Sequence, residues 1–216
     1  MKDIYIVLVR PYTGIGNIAR CFTHYDYTHI AVSLDRSLSE FVSYSRRYHS
    51  FPFDSGFTRE YRDYYAFGKH KDVKVKVFRL SVTDQSYSEI LSFIRRCEND
   101  KAQLFNLFSM VTMPVLHGFR IYKANNCMSF TAKIIELSGL VKMDRPYYKY
   151  SIEDMDKLLE AHLFFEGRLK RRKSVRYGQY MRSFSVIKFA GDMVRLISGL
   201  TFRAVFLRKK SAVKSN

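Results

Sequence analysis

Cys127 and His29 are the residues whose type and setting best suit chemistry. The thiol stands in Asn-Asn-Cys-Met-Ser-Phe-Thr-Ala-Lys-Ile-Ile-Glu-Leu-Ser-Gly (125–139), which reads as a loop opening a helix. The imidazole stands in Tyr-Thr-His-Ile-Ala-Val-Ser-Leu-Asp (27–35), a strand running into a turn. A free thiol is only slightly ionised at neutral pH, and both the positive end of a helix dipole and a nearby imidazole favour the nucleophilic thiolate. Amides at the same helix start can hold a developing oxyanion, with Asn125 or Asn126 as added side-chain donors. The pair therefore suits nucleophilic attack on a carbonyl, with the base preceding the nucleophile in the chain.

Positioning the two groups requires a small α+β scaffold. Ile4 to Arg10 is apolar enough for a buried strand, and residues 11–26 read as a turn leading to a short helix. Residues 28–34 and 40–45 form two strand-like runs around Asp35-Arg36-Ser37, a hairpin signal. Such a hairpin would bring positions 43–45 beside His29. Residues 46–70, with Pro52, Gly56, Gly68 and many aromatic and arginine residues, read as a long irregular excursion. Lys74 to Leu80 alternates charged and apolar residues as a half-exposed strand does. A helix over 84–98 follows, capped by Thr83 or Asp84, with Ile90, Leu91, Phe93 and Ile94 on its apolar face. Residues 103–116 read as a buried loop or short helix. The nucleophile helix spans about 127–138 and stops at Gly139. Ser151 opens another short helix, and His162 to Leu169 closes the sheet as a last strand.

The same cysteine and histidine also suit a small buried thiol and a structural strand histidine. Cys97 follows Arg95-Arg96 at a helix end, where the dipole disfavours thiolate, and Cys21 reads as a core residue of an amphipathic helix. No histidine pairs at helical spacing with a second metal-binding side chain, so no metal is expected. The Gly14–Gly16 pair lacks the third glycine of a dinucleotide fingerprint, so it reads as a turn and no cofactor is expected.

Three cysteines form no even framework, which points to reduced thiols. The apolar run at the N-terminus is too short for a secretory signal, and no stretch of about 20 residues is free of charge. The expected location is cytoplasmic or peripheral to a membrane. Net charge is +17, yet residues 168–216 hold 14 Lys or Arg against Asp192 alone, so the body carries little of it. This divides the chain into a domain over 1–170 and a basic extension over 171–216. Within the extension, residues 184–200 read as an amphipathic helix with Lys188, Asp192 and Arg195 on one face. Val186, Ile187, Ala190, Val194 and Ile197 spread over the other. Basic clusters bracket it, which suits an anionic bilayer surface; packing back onto the domain or a second subunit is the alternative. Nucleic acid ranks last, for want of any reader motif.

The His29 segment resembles the histidine strand of the permuted NlpC-type papain-like cysteine hydrolase superfamily. That superfamily includes YiiX/YebB-like proteins and relatives of lecithin:retinol acyltransferase. Glu40-Phe-Val-Ser-Tyr-Ser-Arg-Arg47 resembles the strand after it, and Cys127-Met-Ser-Phe130 the start of the nucleophile helix. Tyr150-Ser-Ile-Glu-Asp-Met155 and Phe164-Phe-Glu-Gly-Arg168 resemble two later segments in the same order. The resemblance covers about residues 1–170. It implies a permuted papain-like α+β core, an antiparallel sheet packed against the nucleophile helix. It makes Cys127 the nucleophile, His29 the base and a polar residue of the adjacent strand the orienter: Ser43 first, then Ser45 and Glu40. The expected activity is hydrolysis or acyl transfer on an amide, ester or thioester. The rival is a non-catalytic membrane- or partner-binding protein on the same fold.

Overall fold

The computed structural model describes residues 1–12, 20 and 25–207. Its frame is a six-stranded antiparallel sheet in the order β4-β3-β2-β1-β5-β8. The strands are β1 (Lys2–Arg10), β2 (His29–Ser33), β3 (Glu40–Tyr48), β4 (Phe51–Tyr61), β5 (Asp72–Val82) and β8 (Leu163–Lys170). The helices are α1 (Arg62–Tyr65), α2 (Asp84–Asn99), α3 (Leu107–Val111), α4 (Met113–Leu116), α5 (Cys127–Ser138), α6 (Ile152–Leu158), α7 (Tyr177–Tyr180) and α8 (Val186–Phe206). A short parallel pair, β6 (Leu104–Phe105) and β7 (Ala124–Asn125), leads into α5. The chain is thus a mixed α+β protein.

Alternation along the strands gives the sheet two apolar faces. Ile4, Ile6, Leu8, Ile30, Val32, Val42 and Tyr44 face the layer of α2, α5 and α8. Tyr5, Val7, Val9, Ala31 and Phe41 face a smaller cluster closed by Tyr65, Ala66 and Leu169. Helix α5 is anchored by Phe130, fully buried with its ring 5.3 Å from Tyr44, 5.5 Å from Phe93 and 5.8 Å from Phe57.

The expected irregular stretch over 46–70 is largely the regular strand β4, which hairpins back from β3 over 51–61 and continues into α1. Pro52 is tolerated because β4 is the sheet edge, where a missing amide donor need break no ladder bond. At Gly56, a Cβ would lie 2.5 Å from the Arg47 guanidinium, which needs that space to reach Asp54. The buried loop expected over 103–116 resolves into β6, α3 and α4, with Val111, Val115 and Leu116 exposed. The turn and short helix expected after β1, with Gly14, Gly16 and Cys21, fall on residues 13–19 and 21–24, outside the described residues, as does the chain after 207.

Candidate active site

Residues on three strands and two helices, β2, β3, β4, α1 and α5, make up the candidate site. Helix α5 starts where it does because Asn126 caps it: its Oδ1 accepts from the Ser129 amide at 2.8 Å, and Ser129 Oγ accepts from the Asn126 amide at 3.0 Å. This reciprocal box fixes the first turn. The Phe130 amide is taken by the Asn126 carbonyl. The Cys127 and Met128 amides are the members of that turn that helix geometry leaves without a carbonyl of their own. Gly139 ends the helix at φ +67°, a conformation that favours glycine. Cys127 is 8% exposed, at the first helical position.

His29 opens β2. Its backbone is paired to Val9 of β1, and the chain entering it is tied down by two tyrosines. Tyr27 donates to Glu166 on β8 at 2.9 Å, and Tyr25 donates to Asp156 on α6. The Cys127 side chain is among the groups that bias the imidazole toward its protonated form.

The ring's other partner is Glu60. His29 Nε2 is 2.8 Å from Glu60 Oε2, with the two side chains 12% and 6% exposed. The carboxylate is filled further by Tyr65 Oη, donating to Oε2 at 3.0 Å, and Ser45 Oγ, donating to Oε1 at 2.6 Å. Burial disfavours a charged imidazole, but the facing carboxylate and the Cys127 side chain outweigh it and hold the ring protonated well above its ordinary range. Burial likewise pushes the Glu60 carboxyl up, and the imidazolium with the two hydroxyl donors holds it below its ordinary value.

Ser43, expected to orient the ring, is elsewhere. Its hydroxyl is buried and donates to the Ile30 carbonyl at 3.0 Å. Register explains this: Val32 pairs with Val42, so three residues back along β2 and three on along β3 it is Ser45 that stands across from His29. Ser45 contributes indirectly, by holding Glu60. Glu40 pairs with Arg59 on the far side of the hairpin. Glu60 lies on β4, a strand that Pro52, Gly56 and the adjacent charges Arg59-Glu60 disguise in the sequence.

Asn126 spends its side-chain oxygen on the cap, and Asn125 Oδ1 accepts from Ser129 Oγ at 3.3 Å. Cys97 is buried at the end of α2, and burial pushes its thiol up to about 11, which keeps it protonated at neutral pH. Among the described residues, no group of three His, Cys, Asp or Glu side chains is arranged to hold a metal ion. No family model, curated protein or solved structure matches this chain.

Proposed function

We propose that the protein is a cysteine hydrolase or acyltransferase of permuted papain-like design, working on an amide, ester or thioester through an acyl-enzyme. The observation that carries this reading is the Glu60–His29–Cys127 chain: a nucleophilic group, a base and a buried orienting carboxylate in series. The order of base before nucleophile and the antiparallel sheet behind the nucleophile helix support the permuted papain-like arrangement.

With Nε2 given to Glu60, Nδ1 is the ring nitrogen left for the sulfur. With the ring already protonated, its Nδ1–H faces the sulfur, and Cys127 Sγ attacks the carbonyl carbon as the thiolate. The carbonyl oxygen takes up the electron pair and is held by amides of the first turn of α5. As the tetrahedral centre collapses, the proton on His29 goes to the departing amine, alcohol or thiol, leaving the acyl group on sulfur. Water or a second nucleophile then loses a proton to His29 and attacks the thioester. The acid or the transferred product leaves, and the thiolate is restored beside the protonated ring. Glu60 keeps the ring oriented and compensates its positive charge throughout.

An electrophilic acyl probe tests this. Labelling in the wild-type chain should vanish in Cys127→Ala and fall strongly in His29→Ala. Undiminished labelling in Cys127→Ala would overturn the assignment.

A further inference from the structure

Helix α8 turns its charges toward the domain and its apolar side outward. Lys188 reaches Asp54 at 2.6 Å and Asp192 at 2.8 Å, which draws both polar groups of the first turns against β4. Farther along, Arg203 donates to the carbonyls of Ala102 at 2.7 Å and Lys123 at 2.8 Å. Leu196 and Leu200 enter the main core on the same side. The 3.6-residue period then leaves Ile187, Val194, Ile197, Phe202 and Val205 facing away, from 36% exposed at Ile197 to 87% at Ile187. A largely apolar stripe, interrupted by the exposed Ser198 and Thr201, along a helix of 21 residues, about 31 Å, is a surface that something covers.

Charge decides what. The segment 168–216 has 14 basic residues and one acid, and that acid, Asp192, is already paired with Lys188. A second copy of the chain seated on this stripe would bring two strongly positive segments together, which costs energy. An anionic surface meets the same charges with relief. Arg195 lies exposed on the flank of the stripe, and Arg182 precedes the helix. By sequence, Arg208, Lys209, Lys210 and Lys214 follow it. Among the described residues, no helix is long and apolar enough to cross a membrane, so the fit is to a helix lying in the plane.

We infer that α8 is a membrane-surface element: its outward stripe enters the headgroup–acyl boundary of an anionic bilayer while the flanking arginines and lysines contact lipid phosphates. This does not rest on the activity of Cys127.

The test uses the full chain and vesicles of phosphatidylcholine with or without phosphatidylglycerol. The protein should sediment with the mixed vesicles and bind pure phosphatidylcholine at least about tenfold more weakly, since each basic residue near an anionic surface is worth roughly a fivefold change in affinity. The exposed double variant Val194→Glu/Phe202→Glu should weaken binding by about 100-fold, the effect of removing two apolar side chains from the interface. Its thermal midpoint should be unchanged, because neither side chain is in the core. Wild-type binding by that variant, or equal binding to both vesicle types, would overturn the inference. So would failure to bind vesicles together with a dimer that the same variant abolishes, which would assign the stripe to a second copy.

Discussion

Replacing Glu60 by Gln separates charge from shape at the heart of the site. The carboxylate receives Ser45 on Oε1, and Tyr65 and the imidazole on Oε2. A glutamine amide can keep its oxygen toward Tyr65 and the ring while its NH2 donates to Ser45 Oγ, since a hydroxyl also accepts. Every hydrogen bond then survives; the negative charge does not. A bond to a charged acceptor is worth about 1 kcal/mol more than a neutral one, so three would give about 3 kcal/mol. Burial favours a neutral ring and returns part of this, leaving an expected destabilisation of about 2 kcal/mol by urea titration. The larger effect is on protonation. The wild-type ring is held up to about 10, so it is almost wholly protonated at pH 7.5. With the carboxylate gone, only the Cys127 side chain still opposes burial, so the ring falls from about 10 toward its ordinary value near 6.5 and its protonated share at pH 7.5 drops. Nitrogen-15 spectra of the imidazole, assigned by difference against His29→Gln, should pass from the doubly protonated pattern to a neutral tautomer. Turnover should fall by as much as about 10⁴-fold, as when a triad carboxylate becomes an amide. A His29 ring still doubly protonated at pH 7.5 in Glu60→Gln would refute the assignment of Glu60 as its anchor.

Two further outcomes follow from the same geometry. Ser43→Ala removes a buried hydroxyl that serves the Ile30 carbonyl, so it should cost about 1–3 kcal/mol of stability and leave probe labelling within about twofold of wild type; a loss of labelling matching that of His29→Ala would return Ser43 to the site. Stability should also depend on pH in a defined sense. The raised His29 contributes fully below its unfolded value near 6.5, and that contribution fades as pH rises through about 10. The lowered Glu60 contributes above its unfolded value near 4.5 and loses it as the solution becomes more acid. The urea midpoint should therefore fall between pH 6.5 and pH 10, and the fall should flatten in His29→Gln/Glu60→Gln; an equal decline in that double variant would place the titration elsewhere.

Much of this architecture is legible in the residues themselves because the devices that set it are local. Asn126 and Gly139 bound α5, Thr83 and Ser151 cap two others, and the alternation of Lys74–Leu80 marks an interior strand. These depend on neighbours three or four places away, which any reading of the chain sees. The third member of the site depends on long-range terms: the register of β2 on β3 and the pairing of β3 with an edge strand. A shift of two places in register would exchange Ser45 for Ser43 opposite His29. That information is in the packing of two sheet faces, where Phe41, Ser43 and Ser45 share one side and Val42 and Tyr44 the other.

Helix α8 shows the same limit from the opposite direction. Its residue pattern separates apolar from charged faces correctly, yet periodicity cannot say which face looks outward. Lys188 and Asp192 would be solvated on an isolated helix. Beside β4, Lys188 bridges Asp54 and Asp192, and Arg203 donates to the carbonyls of Ala102, just after α2, and Lys123, just before β7. Once those polar bonds and the burial of Leu196 and Leu200 fix the rotation, the aliphatic stripe has nowhere to go but out. Buried charge at Glu60 and exposed oil on α8 are thus both departures from the rule that sorts polar residues outward. The first is compensated by the imidazole and two hydroxyls within the fold; the second has no partner within the described residues. A compensated charge points to chemistry and an uncompensated apolar face to a surface. This is why Cys127–His29–Glu60 is read as a reaction centre and α8 as a place of attachment.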